Sequence, residues 1–151
     1  MKTESMEECL TFFRKHDLFA RHCGLELVDA QPGRSVVEME IEAHHLNGVG
    51  TVHGGALFTL ADFAFAVASN AHGPVAMGVS TSINFIKAAR RGRIRATARE
   101  VVRQKRLATY QVEIQDRDDN ILALFQGMVY IKRCGRGEKQ PSALPHSPVN
   151  P

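Results

Sequence analysis

Apolar and polar positions follow two rhythms along this chain, and the places where the rhythm changes outline its elements. Met6, Leu10, Phe12 and Phe13 recur at helical intervals, with a capping-box spacing of Ser5 and Glu8 before them, which predicts an amphipathic helix over residues 5–16 and a short second turn over 17–22. From Leu25 to Asp29 and from Ser35 to Glu42 the pattern becomes strand-like, and the Gln31-Pro32-Gly33 cluster between them makes the pair a hairpin. Residues 54–71 differ again: Ala56, Leu57, Phe58, Leu60, Ala61, Phe63, Ala64, Phe65, Ala66, Val67 and Ala68 leave almost no polar side, so this helix is expected to be buried all round. After a turn at His72-Gly73-Pro74, strand-like runs cover 75–86, 92–102, 106–116 and, beyond Asp118-Asp119-Asn120, 121–133. The last of these sets Ile121, Ala123, Phe125, Val129 and Ile131 on one face. One wholly apolar helix among several long antiparallel strands is most simply satisfied by a curved sheet wrapped around that helix, an α+β arrangement.

Composition narrows the class. A chain of 151 residues with 44% hydrophobic content suits one domain with a real core, which we expect over residues 1–133. Residues 134–151 hold four of the six prolines and are expected to form a disordered tail. No apolar run reaches the roughly 18–20 residues of a spanning helix, and the first ten residues lack the basic and apolar regions of a secretory signal, so the expectation is a soluble, cytoplasmic protein without membrane contact. Cys9, Cys23 and Cys134 are odd in number and lack metal-ligand spacing, which points to reduced thiols. The balance of 19 Lys and Arg against 16 Asp and Glu is too mild for a nucleic-acid protein, although it suits a small polyanionic ligand.

Candidate chemistry is concentrated in one stretch, Asn47-Gly-Val-Gly-Thr-Val-His53-Gly54-Gly55, which leads straight into the apolar helix carrying Asp62. A helix N-terminus leaves amide N–H groups without intrahelical partners, and glycines let a ligand approach them, so Gly54 and Gly55 make a candidate oxyanion site; the same glycines would serve a tight loop equally well. Asp62, flanked by Leu60, Ala61, Phe63 and Ala64, is costly to bury without a partner, and as a carboxylate it can act as general base toward water or as nucleophile. His53 suits a loop brace or substrate positioner better than a proton carrier, and Asn47 can equally orient a carbonyl or water, or hold a turn. His44, His45 and His53 have no carboxylate or thiolate at a suitable spacing, so no metal is expected. Gly54 and Asp62 stand about 12 Å apart along one helix at about 1.5 Å per residue, too far to share a carbonyl. Two copies with antiparallel helices would bring the glycine turn of one to Asp62 of the other, so the active unit is expected to be at least a dimer.

Taken together, Asn47, Gly50, His53-Gly54-Gly55, Asp62 and the later Gly78-Val79-Ser80 resemble the phenylacetate-degradation, or PaaI-type, branch of the hotdog thioesterases, over roughly residues 24–133. The resemblance implies a hotdog fold and hydrolysis of an acyl-CoA, with aryl-acyl groups such as phenylacetyl or hydroxyphenylacetyl favoured. It implies Asp62 as the catalytic carboxylate, Asn47 as a placer of water or carbonyl, and the Gly54 and Gly55 region as the polarising group from the opposite subunit. Ser80 matches a polar position that assists the carboxylate, and strand alternation would then turn Thr81 away. Coenzyme A, as part of the substrate, would bind at strand ends offering Lys87, Arg90, Arg91, Arg103, Lys105 and Arg106. No separate cofactor is implied, and the expected assembly is a homodimer or a homotetramer of two dimers. The N-terminal helix would pack over the sheet or shape the acyl end. Two other readings keep the fold: a non-catalytic acyl-CoA-binding protein, and an acyl-thioester dehydratase using His53 and Asp62, for which the His-Phe-Pro type segment is missing.

Overall fold

The computed structural model describes residues 3–132, so the tail expected beyond 133, with Cys134, lies outside the described residues. Two short helices come first, α1 (Thr3–His16) and α2 (Leu18–His22), followed by the hairpin β1 (Leu25–Gln31) and β2 (Arg34–Ile41). The long helix α3 (Gly54–Asn70) precedes β3 (Ala76–Phe85), β4 (Gly92–Arg103), β5 (Leu107–Gln115) and β6 (Ile121–Ile131). Each element lies within a few residues of its sequence expectation. Gly33, at φ +80°, makes the hairpin turn that the Pro-Gly pair announced.

All six strands pair antiparallel in one sheet of order β1-β2-β4-β5-β6-β3, and α3 lies across its inner face. Alternation along the strands supplies the core: Val37 and Met39, Ile94, Ala96 and Ala98, Tyr110, Val112 and Ile114, and Phe125 and Val129 all turn inward against α3. Small residues on β4 leave room for the large ones on α3. Phe65 is one of the largest buried side chains, with its ring against Tyr110 and Phe125 and above the bare backbone of Gly78 and Gly127.

Polar anchors fix the far end of α3. Buried Ser35 donates to the Ala64 carbonyl at 2.7 Å, and the Gly33 N–H donates to the Ala68 carbonyl at 3.1 Å. Asn70 donates to the carbonyls of Ala66 and Ala76 and accepts from the Ala76 N–H, tying the helix end to the start of β3. Nearby, His72 at 2.7 Å and the buried Tyr110 both donate to Glu100. Burial pushes the Glu100 carboxyl up, but these two hydrogen bonds and the charges of His72 and Arg103 outweigh it and hold the carboxyl below its ordinary value.

One expectation needs correction here. The apolar composition of α3 predicts a helix buried on every side, yet within one chain Gly55 and Asp62 are exposed and Thr59 and Ala66 only half-buried. These four residues form a single stripe on the face turned away from the sheet. Because alanine and glycine count as apolar without needing burial, the composition could not reveal that this face is open.

Candidate active site

The N-terminus of α3 is held by a short, heavily cross-braced loop. Asn47 folds it: its side-chain oxygen accepts from the backbone N–H groups of Val49 and Thr51, both at 3.1 Å, while its amide donates to the Thr51 hydroxyl at 2.9 Å. Two backbone donors fix which end of the amide is oxygen, and one amide N–H remains without a partner among the described residues. Gly50 turns the loop at φ +79°, and Arg90 clamps it from outside by donating to the carbonyls of Val49 and Gly50. From inside, buried His45 accepts the Glu42 N–H on Nδ1 and donates from Nε2 to the Cys23 carbonyl at 2.7 Å, while its own carbonyl takes the His53 N–H. This histidine is a fixed neutral strut, and no group of three or more metal-ligating side chains occurs among the described residues.

His53 caps α3. Its Nδ1 accepts the Gly55 N–H at 2.8 Å, and its carbonyl accepts from Ala56 and Leu57. The pair of glycine amides expected to polarise a carbonyl is therefore reduced: the Gly55 N–H is already engaged, and the Gly54 N–H is the one left without a partner among the described residues. A side chain at Gly54 would meet Phe85 at 2.9 Å, so the glycine leaves space between the helix N-terminus and the end of β3.

Asp62 lies two turns further along the open stripe of α3. The structure corrects its expected burial: the residue is exposed in the single chain and has neither a hydrogen bond nor an ion pair among the described residues. Protein packed around the helix still strips water from its carboxyl, and this loss of hydration, followed by the negative charge of Asp17, raises its pKa above the ordinary value. An unpartnered carboxylate with enhanced basicity on an open helix face is equipped to take a proton from water.

Ser80 and Thr81 take opposite faces of β3, as alternation requires, but a bulge sets which is which. A bulge at Val79 shifts the register of β3 on β6, pairing Ser80 with Met128 and Thr81 with Gly127. Gly127 faces Phe65 of α3, so Thr81, with Ile83 and Phe85, lies on the helix side, whereas Ser80 points to the outer face. Simple alternation from Ala76 could not anticipate the inserted residue.

The six cations divide into two groups. Lys87, Arg90 and Arg91 lie in the β3–β4 connection beside the α3 N-terminus, where the Val52 N–H reaches the Ala89 carbonyl. Arg103, Lys105 and Arg106 surround the β4–β5 turn at the opposite end of the sheet, roughly 35 Å away at about 3.3 Å per strand residue. Arg103 pairs with Glu100 at 3.7 Å, and Arg106 donates to Tyr130. One chain therefore cannot present all six to one ligand.

Comparison with known proteins gives a consistent picture. The family model described as thioesterase superfamily matches residues 49–123, which contain both the glycine turn and Asp62. Acyl-coenzyme A thioesterase PaaI of Escherichia coli (strain K12) is 35% identical over 114 residues, covering 75% of this chain and 81% of that protein. The solved structure of the E. coli PaaI protein from the phenylacetic acid degradation operon superposes with a TM-score of 0.82 at 30% identity, covering 87% of this chain and 96% of that one. A mutant form of the phenylacetic acid degradation protein PaaI from Thermus thermophilus gives a TM-score of 0.72 at 42% identity, over 76% of this chain and 98% of that one.

Proposed function

The chain belongs to the thioesterase superfamily, as a PaaI-type acyl-CoA thioesterase of the hotdog fold and thus a hydrolase of thioester bonds, and on that premise we propose how its residues perform the reaction. Asp62 is the general base. The observation that carries this reading is a basic, unpartnered carboxylate on the one open face of an otherwise apolar helix. Asp62 takes a proton from water as the water oxygen attacks the thioester carbonyl carbon. The carbonyl oxygen, gaining negative charge, is met by the Gly54 N–H at the positive end of α3. Collapse breaks the carbon–sulfur bond, and the proton passes from Asp62 to the departing thiolate, leaving free acid and coenzyme A. No metal or redox cofactor enters this sequence.

The two halves of the site come from different protomers in this reading. In support, β3 is an edge strand whose outer side is unpaired, and Met77, Val79, Phe85 and the adjoining Ile86 are exposed along it. An unpaired ten-residue edge strand with exposed apolar side chains, beside an open helix stripe, calls for a cover, and a second copy supplies one that is self-complementary. Antiparallel pairing would set the Gly54 end of one helix toward the partner's Asp62, and would also bring the Lys87–Arg91 end of one chain toward the Arg103–Arg106 turn of the other, uniting the two cation groups around the coenzyme A phosphates. The thioesterase domain lies within residues 1–133, and the assembly is a homodimer or a pair of homodimers. Thr81 replaces Ser80 as the polar strand residue on the helix side. A cytoplasmic location fits the unpaired thiols of Cys9 and Cys23. Aryl-acyl substrates such as phenylacetyl-CoA are favoured by the phenylacetic acid context in the names of the similar structures.

A thiol-release assay over aryl and aliphatic acyl-CoAs tests the proposal. Release is expected from aryl-acyl-CoA with the wild type and its near-complete loss in Asp62→Asn. Tight binding without thiol release would instead mark a non-catalytic acyl-CoA binder, and water loss from a hydroxyacyl thioester left intact would mark a dehydratase.

A further inference from the structure

Asn47 is the only asparagine of the chain followed by a glycine. A backbone nitrogen can attack the side-chain amide carbon of the asparagine before it, and glycine hinders that attack least, having no Cβ and the freest backbone. The fold does not ask for glycine at this place. The φ of Gly48 lies outside the left-handed region, and a Cβ there would meet nothing within 4 Å, whereas Gly50 turns the same loop at φ +79°. Gly48 is also exposed, and its N–H has no acceptor among the described residues.

The other reactant is held fast. Asn47 is half-buried, its N–H donates to the Thr51 carbonyl at 2.8 Å, and its carbonyl accepts the Gly50 N–H at 3.0 Å. Its Oδ1 accepts from the N–H groups of Val49 and Thr51, and its Nδ2 donates to the Thr51 hydroxyl at 2.9 Å. To react, the carboxamide must turn its carbon onto the Gly48 nitrogen and release Nδ2. All three side-chain bonds resist that turn, and the Thr51 hydroxyl is the one partner of the departing nitrogen among the described residues.

We propose that Asn47-Gly48 is a self-modification site that the Thr51 hydroxyl keeps closed. When the brace opens, the Gly48 nitrogen bonds to Cγ of Asn47. The Cγ–Nδ2 bond breaks with its electron pair on nitrogen, and Nδ2 leaves as ammonia with the proton that Gly48 gives up. Water then adds to the cyclic imide and opens it at either carbonyl, leaving aspartate or isoaspartate, with nothing oxidised or reduced. The product has no N–H to give Thr51 and brings a negative charge into the loop that leads to Gly54. Its isoaspartyl form also lengthens the main chain there. None of this depends on Asp62 or on the reaction assigned to the site.

The test follows conversion at Asn47 in the full chain, held for days at mildly alkaline pH, by peptide mass spectrometry that separates aspartate from isoaspartate. The folded wild type should convert slowly and the same chain in concentrated urea many times faster, with Asn70, Asn84 and Asn120 unconverted. Thr51→Val should convert about three- to tenfold faster than the wild type, the weight of one hydrogen bond, while Thr51→Ser, which keeps the hydroxyl, should match it. Gly48→Ala should suppress conversion in urea and leave the melting temperature unchanged. A wild-type rate in a folded Thr51→Val overturns the proposal. Should that variant melt too early to compare, the wild type decides alone: equal rates folded and in urea overturn the proposal, and so does an unfolded chain that does not convert.

Discussion

Two carboxylates lie against the same helix and live in opposite circumstances. Glu100, at the far end of α3, accepts hydrogen bonds from His72 and Tyr110 beside Arg103, and its pKa is held down. Asp62, on the open face, has no partner among the described residues, and its pKa is pushed up by lost hydration and by Asp17. The contrast extends to the surrounding groups: Ser35, Asn70 and the Gly33 amide all find partners toward the far end, whereas the Gly54 N–H at the near end and Asp62 at mid-helix have none among the described residues. A polar group whose bonds are satisfied inside the chain serves the fold. One left unsatisfied beside a surface is available to something outside the chain.

Exchanging each carboxylate for its amide tests this contrast most severely. Asp62→Asn should cut turnover by about 10²- to 10⁴-fold, the usual worth of a general base, while Glu100→Gln leaves turnover nearly intact. Their stability effects should have opposite signs. Asp62 titrates higher folded than unfolded, so ionising it weakens the fold; Asp62→Asn should melt above the wild type at neutral pH, and the gain should vanish below the unfolded aspartate range. Glu100 titrates lower folded than unfolded, so its stabilisation is present above the unfolded glutamate range and disappears as pH falls through its depressed value; Glu100→Gln should melt below the wild type at neutral pH and converge with it in acid. Thermal melts across pH check both, and parallel behaviour of the two variants would break the comparison.

Smaller effects sharpen it. Gly127→Ala would place a methyl 2.7 Å from the ring of Phe65, which is 2% exposed and cannot yield, so denaturant unfolding should show a loss of roughly 2–3 kcal/mol. Asn70→Ala removes three hydrogen bonds, two of which tie the helix end to β3, and should cost about 2 kcal/mol in the same measurement, with kcat unchanged. Last, His53→Ala removes the α3 cap and should cost about 1 kcal/mol. It also frees the Gly55 N–H, so its kinetic effect reports whether one amide or two meet the carbonyl.

The period of apolar positions determined the order and type of the elements, because burial on one side of a strand or helix is a local demand that each segment states for itself. It determined the candidate loop and Asp62 too, since glycines before an apolar helix and a carboxylate within it are anomalies visible without a structure. Tertiary structure alone decided which face of α3 is open, because Gly55, Thr59, Asp62 and Ala66 become a stripe only once the sheet covers the other side. It set Thr81 rather than Ser80 on the helix side through one bulged residue, and separated cations that are near in sequence into groups at opposite ends of β4. The physical reason is common to all of these: register, charge proximity and solvent access are relations between distant segments, and a sequence lists its segments one after another.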